Sequence, residues 1–520
     1  MKKIATALLS CALAAATLAG CAANAAQVPQ ESQEPHTAAL TATAAASVKS
    51  PKYVFLFIGD GMSYPQIQST SDYLGALKDA DYWQAQPSLD DNQGAILDGP
   101  EYLNFMNFEA AGSAVTYDSN SFAPDSASTA TSISTGHKTY SGSINVDETG
   151  TIEYETIAEQ LKAQKGWEIG VITSVNLNHA TPAAFYAHQA SRSSYYEIGL
   201  ELVESGFDYF AGGGLLKPTG SSGDQTDLYE LAQEAGYTVA KTHAEADAIG
   251  TNTEKAIIID EDLADSDAMA YELDRTDDMW ALADYVAKGI EVLDNDTGFF
   301  MMCEGGKIDW ACHANDAAAS IHDTQALADA VQVAIDFAKE HADETLILVT
   351  GDHETGGLTI GFAGTDYDTY LDLLENQKIS FAKYDSDYVA SYKANKTPFG
   401  TVLADIEKLF GLKAQGEEGD KLVLTAYEME QLRAAYEKSI NGTASSQYDQ
   451  AEYVLYGTYE PLSVTITHII NNKSGISFTS YSHTGLPVAV LAEGAGSEMF
   501  NGYYDNTDIY NKLADLLNIA

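Results

Sequence analysis

Short, continuous apolar runs alternate with amphipathic stretches along most of the chain. The runs are YVFLFIG (Tyr53–Gly59), EIGVITS (Glu168–Ser174), GFFMMCE (Gly298–Glu304), TLILVTGD (Thr345–Asp352) and LPVAVLAEG (Leu486–Gly494). Apolar runs of this length are typical of strands buried on both faces, and the stretches between them are typical of helices that cover a sheet. The pattern predicts an α/β fold with a mostly parallel central sheet between layers of helices.

The regular pattern of helices and strands breaks between about residues 362 and 480, where the chain is polar and rich in tyrosine. This region predicts an insertion between two core strands. Helices are predicted in the insertion and elsewhere, near Glu155–Gln164, Met279–Leu293, Ala314–Lys339, Phe399–Leu412, Thr425–Ser439 and Asn506–Ile519.

The charge balance of the 520-residue chain is extreme, with 76 acidic and 27 basic side chains and a net charge of −49. Such a surface repels nucleic acid and anionic membranes, so no nucleic-acid polymer is expected as a partner. Dissolved salt screens the self-repulsion, which predicts a halotolerant, exported protein that moderate salt stabilises. A site that handled phosphate here would need a local source of positive charge.

The N-terminus has the pattern of an export signal. Two lysines, an apolar run and small residues predict a signal peptide over residues 1–20. The sequence LAGC resembles a bacterial lipobox and predicts a lipoprotein anchored through Cys21, whereas the alternative is ordinary cleavage around Ala23–Ala25. A flexible tether is predicted over residues 21–50, and the protein is expected to be periplasmic, membrane-anchored or extracellular.

Carboxylates and imidazoles flank four of the apolar runs. These residues are Asp60, Glu304, Asp309, His313, Asp352, His353 and His483. A single Asp at a strand end is usually a turn or a helix cap, but four such ends are difficult to explain by capping. Carboxylate and imidazole groups are the ligands of zinc, and oxygen ligands suit magnesium, so the sequence predicts a metal site at one rim of the sheet.

The stretch SFAPDSASTATSISTGHKTYSGS (Ser121–Ser143) allows two interpretations. By composition it is a Ser/Thr-rich linker. The alternative is a helix start that presents one reactive serine to the predicted metal rim.

Six motifs in order resemble those of the alkaline phosphatases that use a serine nucleophile, two zinc ions and one magnesium ion. They are FIGDGM, PDSASTATSISTG, HATPAAFYAH with SR, EGGKIDWACH, TGDHETGG and SHTG. The resemblance implies hydrolysis of phosphate monoesters through a phosphoserine intermediate, with a broad substrate range and a role in extracytoplasmic phosphate scavenging. It also implies a homodimer whose catalytic domain spans residues 51–520.

The resemblance assigns a role to each matching residue. Ser126 is expected to be the nucleophile and Arg192, one of three arginines in the chain, the clamp on phosphate oxygens. The expected ligands of the zinc ion next to Ser126 are Asp60, Asp352 and His353. The expected ligands of the second zinc ion are Asp309, His313 and His483, and those of magnesium are Asp60, Thr181 and Glu304.

Two positions depart from the best-studied bacterial pattern. His179 stands where that pattern has Asp, and Trp310 stands where it has Lys. Some marine bacterial enzymes are similar in carrying this His/Trp pair. We expect His179 to lie beside the magnesium ligands rather than on the ion, and we expect weaker phosphate holding without the lysine. His137 is a further candidate for a supporting role.

Several alternatives remain open from the sequence. Cys303 and Cys312 could form a disulfide, although two buried free thiols are expected. The insertion could be a crown-type element at a subunit interface, as the resemblance and its tyrosines imply, or a decoration that faces solvent. Rival functions are hydrolysis of phosphodiesters or sulfate monoesters within the same superfamily, and non-catalytic binding of metal or phosphate by a lipoprotein.

Overall fold

The structure is a computed structural model, which describes residues 49–79, 82, 96–442 and 445–519. The predicted signal peptide (1–20), the predicted lipid attachment site Cys21 and almost all of the predicted tether (21–50) lie outside these residues. Within the described ranges, no helix has the length and apolar character needed to cross a membrane.

A central sheet of 10 strands forms the middle layer of the fold. Its spatial order is β14 (Gly502–Asp505), β2 (Ala110–Val115), β13 (Val488–Gly494), β8 (Thr345–Gly351), β1 (Tyr53–Gly59), β7 (Phe299–Gly305), β3 (Glu168–Asn176), β4 (Tyr209–Gly213), β6 (Ala256–Ile259) and β5 (Thr238–Ala240). Two short antiparallel pairs lie outside it, β9 (Glu354–Thr355) with β12 (His483–Thr484) and β10 (Thr359–Ile360) with β11 (Ile476–Ser477).

The helices of the described ranges follow most of these strands in the chain. They are α1 (Tyr64–Lys78), α2 (Ser126–Thr135), α3 (Ile157–Lys165), α4 (Ala180–Ala183), α5 (Tyr195–Glu204), α6 (Leu228–Glu234), α7 (His243–Asp247), α8 (Leu282–Leu293), α9 (Lys307–His313), α10 (Ala317–Glu340), α11 (Phe381–Tyr384), α12 (Ala390–Asn395), α13 (Phe399–Phe410), α14 (Ala426–Asn441), α15 (Gln450–Tyr456), α16 (Pro461–Ser474) and α17 (Thr507–Leu517).

The continuous apolar runs are strands covered on both faces. In β1, Val54, Leu56 and Ile58 pack into one core together with α2, α3, α5 and α17. Phe55 and Phe57 point the other way, into a second core with α8 and α10. Because successive side chains of a strand point to opposite faces, one unbroken apolar run supplies both cores. The predicted α/β fold with a mostly parallel sheet is therefore confirmed.

Strand β13 is the exception to the parallel arrangement, since it runs antiparallel to both β8 and β2. Its reversal has a functional consequence. His483 precedes β13 in the chain, whereas Asp60 and Asp352 follow β1 and β8. Only a reversed strand brings a preceding residue to the rim where the parallel strands end.

The predicted long helix Ala314–Lys339 begins later than expected, at Ala317. Asn315 has a φ of 52°, in the left-handed region, which separates α10 from the short helix α9. Asp316 then caps α10 by accepting a hydrogen bond from the Ala319 amide at 3.0 Å. The break frees α9 as a separate turn at the rim of the sheet.

The region 362–480 contains α11–α16 and has an apolar cluster of its own, which includes Tyr384, Val402 and Ile466 together with Ile321 of α10. Asp316 ties this region to the core, because its carboxylate accepts hydrogen bonds from the Phe381 amide at 2.9 Å and from Gln377 Nε2 at 2.8 Å. The insertion is thus packed onto the helix that follows α9. Its place at a subunit interface stays a prediction.

Cys303 and Cys312 are both buried and free, which confirms the expectation of free thiols. Cys303 lies on β7 and Cys312 on α9.

Gly351 at the end of β8 provides a stability test. A Cβ atom there would lie 1.9 Å from the Met62 carbonyl oxygen, so Gly351→Ala must displace backbone and should lower the free energy of unfolding by about 1–3 kcal/mol. The control is Gly400→Ala on α13, where a Cβ meets nothing within 4 Å. We expect that change to be neutral or stabilising, by up to about 1 kcal/mol. Urea denaturation measures both, and equal stabilities would contradict the close packing of β8 against the loop after β1.

Candidate active site

Helix α2 begins at Ser126, the first residue of the Ser/Thr-rich stretch to lie in a helix. Asp125 is the N-cap, and its Oδ1 accepts a hydrogen bond from the Ser128 amide at 3.2 Å. Ser126 is 2% exposed, and its Oγ lies 3.1 Å from His353 Nε2 and 3.4 Å from Asp60 Oδ1. The linker interpretation is therefore wrong, since this stretch starts a buried helix at the sheet rim.

A first group of candidate metal ligands consists of Asp60, Asp352 and His353. Asp60 follows β1, and the other two follow β8, the adjacent strand. His353 Nε2 lies 3.2 Å from Asp60 Oδ1 and 3.4 Å from Asp352 Oδ2. Thr129 of α2 donates to Asp352 Oδ2 at 3.1 Å, which fixes the carboxylate against the serine helix.

A second group consists of Asp309, His313 and His483. Asp309 and His313 lie one turn apart on α9, with His313 Nε2 3.3 Å from Asp309 Oδ2. His483 comes from β12, whose pairing with β9 brings it beside His353, and the two rings stack at 3.6 Å. Its Nε2 lies 3.6 Å from Asp309 Oδ1.

Backbone carbonyls orient two of these imidazoles for metal binding. His313 Nδ1 lies 2.6 Å from the Tyr481 carbonyl, and His483 Nδ1 lies 2.5 Å from the Pro124 carbonyl. Because a carbonyl only accepts, each Nδ1 carries the hydrogen, which leaves each Nε2 as a free ligand atom in the neutral ring. The two Nε2 atoms face each other at 3.1 Å. This donor set fits a divalent metal ion.

Thr181 and Glu304 lie beside Asp60. The Thr181 hydroxyl donates to Asp60 Oδ2 at 3.2 Å. Glu304 accepts a hydrogen bond from Thr173, but its Oε1 is buried and has no hydrogen-bond partner in the described part of the chain. An orphaned buried carboxylate oxygen beside Asp60 fits a hard cation that takes oxygen ligands.

Arg192 and helix α2 both form hydrogen bonds with the carboxylate of Asp125. Its NH1 donates to Asp125 Oδ2 at 2.9 Å, while the other carboxylate oxygen caps α2. Burial opposes ionisation of Asp125, but the charge of Arg192 and the Gly142 amide outweigh it and lower the pKa of this carboxyl. The guanidinium is thus held at the start of α2, where backbone amides also favour an anion.

His179 and Trp310 lie together beside Arg192. His179 Nε2 is 3.4 Å from Arg192 NH2. The rings of His179 and Trp310 contact each other edge to face, with their centroids 5.8 Å apart. Burial and the charge of Arg192 lower the pKa of His179 to about 3, so the ring is neutral. The polar contact of His179 is with the guanidinium, and its support of a magnesium site stays a prediction.

The buried carboxyl groups strongly disfavour one another's ionisation. Burial and the charge of Asp352 raise the pKa of Asp60 well above its ordinary value. Burial and the charge of Asp309 raise the pKa of Asp352 to about 8, and burial raises that of Glu304 to about 7. Divalent cations would remove this penalty, so the cluster fits metal ions electrostatically as well as by donor type.

Part of this site lines a cavity of about 380 Å³. Its lining includes Ser126, Arg192 and the second group of candidate ligands. It also includes aromatic residues that the motifs do not predict, namely Tyr271, Phe381 and Tyr459. His137, by contrast, does not line the cavity, and its ring stacks on Tyr154 at 4.2 Å.

A buried serine, an arginine and two groups of candidate metal ligands at the carboxyl ends of parallel strands define a metal-dependent hydrolase. The sequence model of the family described as alkaline phosphatase matches residues 51–519. The chain belongs to the alkaline phosphatase family, and it is an enzyme of that class. The family and the donor sets together imply metal cofactors.

Individual relatives agree with this assignment. The chain is 30% identical to alkaline phosphatase 4 of Bacillus subtilis over 473 residues, which cover 89% of this chain and 88% of the relative. The crystal structure of the cold-active alkaline phosphatase of a psychrophilic Shewanella superposes with a TM-score of 0.68 at 28% identity, covering 89% of this chain and 99% of the other. The enzyme of the Antarctic bacterium TAB5 gives a TM-score of 0.60 at 26% identity, with 91% and 99% covered.

The carboxyl cluster predicts that the metal-stripped protein loses stability as pH rises from 6.5 to 8. Asp352 and Glu304, together with His313, whose pKa Asp309 raises to about 8 against the effect of burial, hold protons in this window that the unfolded chain has released. Through these three groups the native state binds more protons, so their contribution to the free energy of unfolding falls with pH, by up to about 1.4 kcal/mol per unit for each group.

Thermal unfolding in chelator measures this decline, and the control is the same protein with zinc and magnesium restored. Bound cations keep the carboxylates ionised, so the metal-loaded protein should show a smaller decline. His188, whose pKa Glu159 and Glu201 raise to about 10 despite burial, contributes the same sign in both samples and cancels in the comparison. Parallel pH profiles with and without metal would contradict a metal-binding role for the cluster.

Proposed function

We propose that the protein hydrolyses phosphate monoesters through a phosphoserine at Ser126. The observation that carries the proposal is the position of the Ser126 hydroxyl, 3.1 Å from His353 Nε2 and in one cavity with Arg192. A serine that served only in packing would not need a guanidinium and two ligand groups around it.

Several residues of the chain would each have a separate role in the first step. Arg192, held by Asp125, would bind two non-bridging oxygens of the phosphoryl group and orient phosphorus toward Ser126. The amides at the start of α2 would add to the binding of the anion. Ser126 Oγ would then lose its proton and form a bond to phosphorus while the bond to the alcohol oxygen breaks, and the departing alkoxide would take up one proton, so that the step releases no net proton.

In the second step water would cleave the phosphoserine, which regenerates Ser126 and releases inorganic phosphate. When bound, divalent cations would lower the pKa of the serine hydroxyl and neutralise the charge of the phosphoryl oxygens. Asp60, Asp352 and His353 would hold one zinc ion, Asp309, His313 and His483 a second, and Asp60, Thr181 and Glu304 a magnesium ion.

Further proposals rest on the family resemblance and on composition. A site that grips only the phosphoryl group predicts a broad substrate range. The N-terminal pattern of the sequence supports export, a lipid anchor at Cys21 and a role in phosphate scavenging outside the cytoplasm. The tyrosine-rich insertion supports a homodimer.

Substrate comparison separates this proposal from its rivals. Purified protein should hydrolyse p-nitrophenyl phosphate at alkaline pH, and chelator should abolish the activity until zinc and magnesium are restored. Faster cleavage of bis(p-nitrophenyl) phosphate or p-nitrophenyl sulfate would favour a diesterase or a sulfatase. No turnover of any ester by the metal-loaded protein would favour a binding protein.

Replacing the proposed nucleophile is the most direct test. Ser126→Ala should lower kcat by on the order of 10³-fold or more, because no other group can form the covalent intermediate. Ser132→Ala on the same helix is the control, since its hydroxyl donates only to the Ser128 carbonyl. Metal content by mass spectrometry should stay unchanged in both variants. Retained activity of the Ser126 variant would exclude the phosphoserine route.

Replacing the proposed clamp tests phosphate binding separately. Arg192→Ala should lower kcat/KM by about 10²-fold and should raise the inhibition constant of inorganic phosphate, because one bidentate donor to the phosphoryl group is lost. Arg275→Ala is the matched control, since that guanidinium pairs with Glu272 at 2.8 Å outside the cavity. Equal effects of the two changes would contradict a clamp at Arg192.

A further inference from the structure

The insertion contributes two side chains to the catalytic cavity. Phe381 of α11 and Tyr459, which follows α15, line it together with Ser126 and Arg192. Trp310 of α9, directly after the candidate ligand Asp309, lines the same cavity. Because Arg192 and Ser126 would hold the phosphoryl group, these aromatic residues are available to the alcohol part of a substrate.

The aromatic side chains form a continuous wall. Tyr271 meets Phe381 at 5.7 Å with an angle of 64° between the rings, and Phe381 meets Tyr459 at 5.8 Å and 84°. Trp310 belongs to the same apolar cluster as Tyr271 and Phe381. Such edge-to-face contacts fix the ring orientations relative to one another.

A buried lysine contacts two of these aromatic rings. Lys307 is 0% exposed and pairs with Asp265 at 2.7 Å. Its Nζ lies 3.9 Å from the ring centroid of Tyr271 and 4.8 Å from that of Trp310. One desolvated ammonium thus holds two of the rings by cation–π contacts.

The core fixes the position of Phe381 as well. Its amide donates to Asp316 Oδ2 at 2.9 Å, and the preceding Ser380 amide donates to Asp274 Oδ1 at 2.9 Å. Tyr271 is 1% exposed and lies at the back of the wall, whereas Trp310, Phe381 and Tyr459 are half-buried. These three rings therefore offer accessible surface in fixed orientations, which a flexible loop would not.

We propose that Trp310, Phe381 and Tyr459 form a subsite that selects phosphate monoesters whose alcohol carries an aromatic ring close to the phosphate. This inference rests on the proposed function, because it needs a phosphoryl group held by Arg192 and Ser126. It adds a preference among monoesters, because contacts with the phosphoryl group alone do not distinguish one alcohol from another. Ring stacking would strengthen binding of such alcohols beyond that of aliphatic ones.

Three substrates with leaving alcohols of similar acidity test the selection, namely benzyl, cyclohexylmethyl and ethyl phosphate. The metal-loaded enzyme should show the highest kcat/KM for benzyl phosphate. In Phe381→Leu and Tyr459→Leu, which keep apolar volume but remove a ring, the benzyl-to-ethyl ratio of kcat/KM should fall about 3–10-fold. Tyr367→Ala is the control, because this tyrosine of the insertion is 74% exposed and outside the cavity.

Three results would overturn the subsite. The first is an unchanged benzyl-to-ethyl ratio of kcat/KM in both leucine variants. This holds even if a disturbed fold lowers kcat/KM for both substrates, because the two values would then fall equally. If cyclohexylmethyl phosphate had the same kcat/KM as benzyl phosphate, and lost as much of it in the leucine variants, the cavity would select for apolar bulk rather than for an aromatic ring. A ratio that falls equally in Tyr367→Ala would place the effect outside the cavity.

Binding of phosphonates keeps this test independent of turnover. If no monoester is hydrolysed, the proposed function fails, and calorimetry with benzylphosphonate and ethylphosphonate still measures the subsite. Tighter binding of benzylphosphonate that is lost in Phe381→Leu supports the subsite, and equal affinities overturn it.

Discussion

The burial of four carboxyl groups beside one another is the constraint on which the rest of the site depends. Asp60, Glu304, Asp309 and Asp352 are each at most 4% exposed and share one rim of the sheet. Water cannot screen them, and the chain as a whole, with a net charge of −49, is strongly acidic, which adds to their repulsion. Such a cluster is stable only when some of its carboxyls keep their protons or when positive charge compensates them, and imidazoles, Arg192 and divalent cations can provide that charge. Metal binding is therefore part of the folding energetics of the rim as well as of its chemistry.

The serine helix is joined to this charge cluster at several points. Asp125 uses one oxygen to cap α2 and the other to hold Arg192. The Pro124 carbonyl fixes the tautomer of His483, and Thr129 anchors Asp352. The proposed nucleophile, the guanidinium and two candidate ligands are thus positioned by one short segment, so a shift of the α2 start would displace all of them together.

Much of this arrangement could be predicted from the sequence, because it rests on local patterns. Unbroken apolar runs gave the strands and their ends, and the parallel direction placed Asp60, Glu304 and Asp352 at one rim. The start of α10 was missed by three residues, because the left-handed Asn315 and the Asp316 cap act on a stretch whose composition is helical throughout.

The aromatic lining of the cavity could not be predicted, since it depends on contacts distant in sequence. Phe381 and Tyr459 lie in a polar region without a catalytic motif, and their places are set by hydrogen bonds to Asp316 and by ring contacts. Tyrosine enrichment signalled that the region is not a simple loop, but it pointed to an interface rather than to the cavity.

The hydrogen bonds at Asp316 limit how freely this region can be exchanged among homologues. Asp316 caps the helix that follows α9 and also receives the amide of Phe381, so one buried carboxylate belongs to the catalytic core and to the insertion at once. A graft of residues 362–480 from another enzyme would have to match Asp274 and Asp316 in the recipient, or these carboxylates would lose the backbone donors of residues 380 and 381, close to the helix of candidate ligands. This region is therefore not a transferable module, and its divergence is expected to be coupled to that of the core surface beneath it.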